Sequence, residues 1–198
     1  MDRRFLALAL LAGALVAPAA AQANQWKVDG GHTTVSFRIR HLFTSVEGRF
    51  NDFDGKVVFD LEDPSKATVS GEIEVASIDT NEPDRDKHLR SADFFDVEKY
   101  PKITFKSTKV TDVSGDKKSG KMHGKLSIHG VEKDVVLDVK FLGEGKDTYD
   151  NVKAGFSGTV TINRKDYGLT WNDTLETGGV LVGEEVEIRI DAAAYAAD

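Results

Sequence analysis

Apolar and polar residues alternate along this chain with a period of two, many times over. Val35, Phe37 and Ile39 alternate with Thr34, Ser36 and Arg38. Val57, Phe59 and Leu61 form a second apolar face, and Val69, Gly71, Ile73 and Val75 a third. Ile103 and Phe105 open a fourth; Met122, Gly124, Leu126 and Ile128 make a fifth; Val135, Leu137, Val139 and Phe141 a sixth. Val152, Ala154, Phe156, Gly158, Val160 and Ile162 form the longest, and Val186, Ile188 and Ile190 the last. This is the pattern of half-buried β-strands, one face in a core and the other in water. Turn signals such as Asp63-Pro64-Ser65, Ser114-Gly115-Asp116 and His129-Gly130 divide many of the segments, and short connections imply antiparallel neighbours.

The pattern predicts an all-β chain of about eight strands. A sandwich and a closed up-and-down barrel both satisfy it. An eight-stranded barrel either fills its interior with side chains or keeps room for one small ligand. Four inward positions are very small: Gly71, Gly124, Ala154 and Gly158. They read equally well as space for a cavity and as bulges or barrel corners.

Two segments break the alternation. Residues 85–97, Arg85-Asp86-Lys87-His88-Leu89-Arg90-Ser91-Ala92-Asp93-Phe94-Phe95-Asp96-Val97, follow Pro83 and carry acids early and bases late. That order suits a helix dipole, with Pro83 in the first turn and Asp86 spaced to pair with Arg90. A two-turn helix does not persist alone in water, so it must dock on the sheet through Leu89, Phe94 and Phe95. The second segment runs from Arg164 to Gly183, through Tyr167-Gly168-Leu169-Thr170-Trp171 and Gly178-Gly179. It is expected to be either a lid over a cavity mouth or the padding of a barrel end.

The N-terminus changes the picture of where the chain works. Arg3 and Arg4 precede an apolar run from Phe5 to Val16, followed by Pro18 and Ala19-Ala20-Ala21-Gln22-Ala23. Residues 1–23 therefore read as a secretory signal peptide cleaved after Ala21 or Ala23, leaving one domain over 24–198 in the periplasm. The apolar run falls short of the roughly 20 residues that span a bilayer, so no stable membrane insertion is expected. There is no cysteine, hence no disulfide. The net charge is −7, which disfavours nucleic acid and broad attraction to anionic lipid surfaces.

Signatures of chemistry are few. No nucleophile-elbow pattern and no phosphate-cradling glycine loop is present. The five histidines lack the short spacing of a zinc site, so neither metal nor cofactor is expected and no catalytic residue is assigned. Arg85, His88 and Arg90 could hold a polar head group at a cavity rim, but each has an acid nearby, and pairing with Asp84, Asp86, Asp93 and Asp96 is the favoured reading.

Several stretches carry a resemblance. They are Trp26-Lys27-Val28-Asp29, His32-Thr33-Thr34-Val35-Ser36-Phe37, Gly48-Arg49-Phe50, the 85–97 segment with Tyr100-Pro101, Gly124-Lys125-Leu126-Ser127-Ile128-His129-Gly130 and Asn163-Arg164-Lys165-Asp166-Tyr167-Gly168-Leu169. In this order the chain resembles the YceI-like family of exported, lipocalin-like bacterial proteins linked to polyisoprenoid binding. The resemblance implies an eight-stranded antiparallel up-and-down barrel, with a short helix between strands near one end and an elongated apolar pocket. Its expected ligand is a long-chain polyisoprenoid, isoprenoid quinone or similar lipid.

The alternation nominates the pocket lining: Phe37, Ile39, Phe59, Ile73, Val75, Phe94, Phe95, Ile103, Phe105, Leu126, Leu137, Phe156 and Val160. Arg85, His88, Arg90, Asn163, Arg164 and Trp171 are nominated for a polar mouth. Two other functions stay open: an enzyme on a lipid-like substrate using His41 or His88, and an envelope-stress scaffold. Monomer and homodimer are both compatible with the sequence.

Overall fold

The computed structural model describes residues 24–173 and 181–197. The expected leader and Gly178-Gly179 lie outside the described residues. Among these residues there are eleven strand segments, β1 (Asn24–Val28), β2 (Thr34–His41), β3 (Thr44–Phe50), β4 (Phe53–Phe59), β5 (Thr68–Glu74), β6 (Ile78–Asp79), β7 (Lys102–Thr111), β8 (Ser119–Ile128), β9 (Val131–Lys146), β10 (Val152–Asn163) and β11 (Val182–Ala196), and one α-helix, α1 (Pro83–Arg90).

The segments make eight barrel strands, because three of those strands are bent. β11 pairs along one edge with both β1 (Trp26 opposite Ala196) and β2 (Ile188 opposite Phe37). β1 and β2 are thus one strand, broken by the 3-10 turn Gly30–His32. Its neighbour bends at Asn51-Asp52, with β3 on β2 and β4 on β1. The third bends at the 3-10 turn Val75–Ser77, with β5 on β4 and β6 on β3. The remaining pairs run in sequence order from β5–β7 to β10–β11, all antiparallel, and the β1–β11 pairing closes the ring. This is the eight-stranded antiparallel barrel with one short helix that the resemblance implied, and it excludes the sandwich.

Two bulges set which residues face inward. Between Ser107 and Lys109 the β7–β8 register slips by one, so the inward phase of Ile103, Phe105 and Ser107 passes to Val110 rather than to Lys109. On β9 the shift at Gly155/Phe156 leaves Leu142 without a partner and 61% exposed. Leu61, expected to continue the β4 face, lies beyond the end of that strand and is also exposed.

The small inward residues serve two purposes. A Cβ on Gly124 would lie 2.4 Å from the Phe105 ring, so Gly124 is the seat over which that ring lies. A Cβ on Gly158 would meet only Leu137 Cδ2 at 3.7 Å and Val139 Cγ1 at 3.9 Å. Gly158 therefore leaves room, and it stands in the wall of a cavity.

The two ends of the barrel are closed differently. At one, Trp26, Val57, Phe141, Ala154 and Ala194 are buried together, with Phe59 and Phe156 packed against them. The Phe59 ring lies 4.8 Å from Phe141 and 5.7 Å from Phe156. At the other, α1 and the turns after it fill the opening. Pro83 occupies the first turn, and the Glu82 carboxylate caps the helix by accepting the Asp84 and Arg85 amides. Leu89, Phe95 and Val97 pack on the cluster of Phe50, Val75, Ile78, Ile103 and Ile128.

Candidate functional site

A cavity of about 580 Å³ runs inside the barrel from α1 to the aromatic cluster at the far end. Its size falls in the roughly 300–1,000 Å³ range of small-molecule sites. Residues across its middle, among them Phe37, Ile39, Ile73, Phe105, Val160 and Ile188, are only half-buried although they point away from bulk water. Their remaining exposure is to the cavity itself.

Of the nominated lining, Phe37, Ile39, Phe59, Ile73, Phe94, Phe95, Ile103, Phe105, Leu126, Leu137, Phe156 and Val160 all stand in the cavity wall. Val75 does not. The strand bends there into the Val75–Ser77 turn, and Val75 packs into the core beside Ile78 and Ile103. Val139, Phe141, Ile188 and Ile190 also line the wall; they share the same alternation and could have been read from it. Val110 could not, because a bulge reverses its phase.

The nominated mouth divides. Arg85, His88, Arg164 and Trp171 stand in the wall, while Arg90 and Asn163 do not. Arg90 reaches back to donate to the Ala76 and Ile78 carbonyls. Asn163 caps the 3-10 turn Arg164–Tyr167, accepting the Lys165 amide, and its amide nitrogen donates to Glu184.

The dense charge of the α1 segment is a clasp, built otherwise than by the expected acid–base pairs. Asp86 is buried and does not pair with Arg90. Its Oδ1 accepts the Thr80 amide at 2.9 Å and the Thr80 hydroxyl at 2.5 Å. Arg85 donates to Thr80 Oγ1 and to the Thr80 carbonyl, both at 2.7 Å. Only His88 pairs with an acid of the segment, its Nε2 lying 3.0 Å from Asp93 Oδ2. The His88, Phe94 and Trp171 rings form a triangle with centroids 5.0–5.1 Å apart. Each ring faces the cavity end.

Trp171 is held from behind by Arg164. Arg164 is 3% exposed, and its guanidinium donates to three carbonyls: Gly183 from Nε at 2.8 Å, and Leu169 and Trp171 from Nη1 at 2.6 and 2.8 Å. Burial pushes it below the ordinary arginine value, opposed by the charge of Glu184. The Asn172 side chain ties the same segment to Val182 through two bonds. The described part of the 164–183 segment thus pads and closes the barrel end. Burial also pushes the Tyr167 phenol up to about 12. Among the described residues no three His, Asp or Glu side chains gather as metal ligands.

Comparison with known proteins agrees with this architecture. The YceI-like domain model matches residues 26–194. The chain belongs to the YceI-like family. A UPF0312 protein of Pseudomonas paraeruginosa is 43% identical over 172 residues, covering 85% of this chain and 88% of that one. The crystal structure of Burkholderia cenocepacia BcnA superposes with a TM-score of 0.74 at 25% identity, covering 84% of this YceI-like chain and 98% of its own. A polyisoprenoid binding domain from Saccharophagus degradans, implicated in plant cell wall breakdown, shares the fold with a TM-score of 0.61 at 14% identity, covering 89% and 100%.

Proposed function

We propose that the protein is a periplasmic lipid-binding barrel that holds one long apolar chain, of the polyisoprenoid or isoprenoid-quinone kind, for carriage, storage or scavenging. On this reading residues 1–23 are a leader removed on export, and the barrel performs no chemistry on its ligand. The observation that carries the proposal is the end-to-end cavity with half-buried aromatic and aliphatic walls. The description of the fold relative from Saccharophagus degradans as a polyisoprenoid binding domain supports it.

Magnitudes favour a long ligand. Each buried methylene is worth about 0.8 kcal/mol, and association loses about 4 kcal/mol or more in freedom of motion. Ten buried carbons leave about 4 kcal/mol, millimolar binding; twenty leave about 12 kcal/mol, nanomolar binding. Two isoprene units are too few, and four suffice.

Native mass spectrometry of protein purified from its own periplasm, followed by organic extraction, tests the reading. A co-purifying long-chain lipid is expected, as is uptake of a polyprenol by the stripped protein in preference to its ten-carbon analogue. A barrel that is always empty and takes up neither polyprenol nor quinone analogue would overturn it.

A further inference from the structure

Arg164 has one corner without a partner. Its Nε and Nη1 are spent on three backbone carbonyls, but Nη2 is buried with no hydrogen-bond partner among the described residues. Among the described residues no carboxylate forms an ion pair with it; Glu184 acts on it only through its charge. Glu184, the acid that acts on it, is engaged by Lys165 at 2.6 Å and by Asn163 at 3.3 Å. Of the acids in the cavity wall, Glu82 and Asp84 lie at the exposed start of α1, and Glu82 is occupied as the helix cap. A cation taken from water without a counter-charge is costly unless an acceptor or anion meets it. Arg164 belongs to the wall of a largely apolar cavity, so a group that enters along the cavity can supply the missing acceptor.

Resting on the lipid-binding reading above, we propose that Arg164 Nη2 is the head-group donor of the barrel, and that the preferred ligand is an amphiphile with a compact oxyanion, a carboxylate or a phosphate monoester, on a long apolar tail. The head lies beneath Trp171 at the α1 end, and the tail runs through the ring of Phe37, Phe105 and Val160 toward Phe141 and Phe156. Charge-assisted hydrogen bonds to a guanidinium are stronger than neutral ones. The uncharged alcohol of equal tail length is therefore the weaker ligand.

The test is isothermal titration of the purified, lipid-stripped protein with three probes of one tail: geranylgeranoic acid, geranylgeranyl phosphate and geranylgeraniol. Both oxyanions are expected to bind about tenfold or more tightly than the alcohol. Arg164→Gln removes that preference while leaving the alcohol's affinity within a few-fold. Because Arg164 also ties three carbonyls and Arg164→Gln can unfold this end, Arg85→Gln and His88→Gln supply a second arm. Each keeps the preference if Arg164 is the donor, and its loss in either variant would overturn the assignment. Equal binding of acid and alcohol overturns the head-group inference but leaves the lipid-binding reading standing. Failure of all three probes overturns that reading itself. Orientation gives an independent readout. Trp26 Nε1 has no hydrogen-bond partner among the described residues, so Trp26→Phe costs no polar contact there and leaves Trp171 as the fluorophore. A fatty acid brominated next to its carboxylate quenches Trp171 in that variant more than one brominated near its methyl end; the reverse order overturns the proposal.

Discussion

The two ends of this barrel are stoppered by different physics. At the Trp26 end the strands close on their own aromatic side chains: Trp26 meets Phe156 edge to face at 6.3 Å, and Phe59 and Phe141 complete the cluster. At the α1 end an inserted segment does the closing: Leu89, Phe95 and Val97 pack on the barrel core, and directed bonds to Thr80, Ala76 and Ile78 fix the segment in place. Apolar burial is distributed and non-directional, whereas a polar clasp fails when one member is removed. The far end should therefore carry global stability, and the α1 end should be the part that opens locally.

The sharpest way to break this comparison is Trp26→Ala. Trp26 is 2% exposed at the centre of its cluster, and truncation of a buried large aromatic costs about 3–5 kcal/mol. Urea unfolding is expected to shift as one cooperative transition. A loss below about 1 kcal/mol would show that the aromatic end is not the anchor.

Asp86→Ala should act differently. It leaves the Thr80 amide and hydroxyl without their buried acceptor, and a hydrogen bond to a charged group contributes about 1.5–3 kcal/mol. Hydrogen exchange is expected to accelerate from residue 80 through 100 while β10 and β11 keep their protection. Uniform acceleration across the barrel would mean that the clasp belongs to the global core.

This contrast also explains what could be read in the sequence. The strands of the far end and the middle alternate cleanly, so the sequence alone turns Phe59, Leu137, Phe156 and Val160 inward. Alternation does not see a strand bending mid-course, and Val75 was placed on the cavity wall for that reason. Nor does it see a bulge, which hid Val110. The detail of the clasp is not legible because helical spacing puts Arg90 within reach of Asp86, while the actual partners sit 6 to 14 residues upstream, in and beside β6. The choice of barrel over sandwich came from the resemblance, since closure depends on β1 meeting β11, a pairing of the chain's two ends that no local pattern encodes.

The far end has a polar fastening of its own, and its pH response is the smallest effect expected. Asp29 is buried between β1 and β2, 2.8 Å from His32 Nδ1 and 3.2 Å from Lys153 Nζ. Burial alone would raise its pKa, but hydrogen bonds from Tyr195, His32, Lys153 and the Gly31 amide hold it at about 2, below the ordinary 3.8. A carboxylate held lower in the folded state than in the unfolded one stabilises the fold above its ordinary value, and that contribution vanishes as pH falls through about 2. The shift corresponds to about 1–2 kcal/mol after allowance for solvent screening. Asp29→Asn should therefore be less stable than wild type at pH 7 by that amount, and the two urea midpoints should converge between pH 4 and pH 2. Parallel lines over that interval would show that Asp29 titrates alike in both states. The bond network around it would then fasten the end of β1 to β10 without regard to charge.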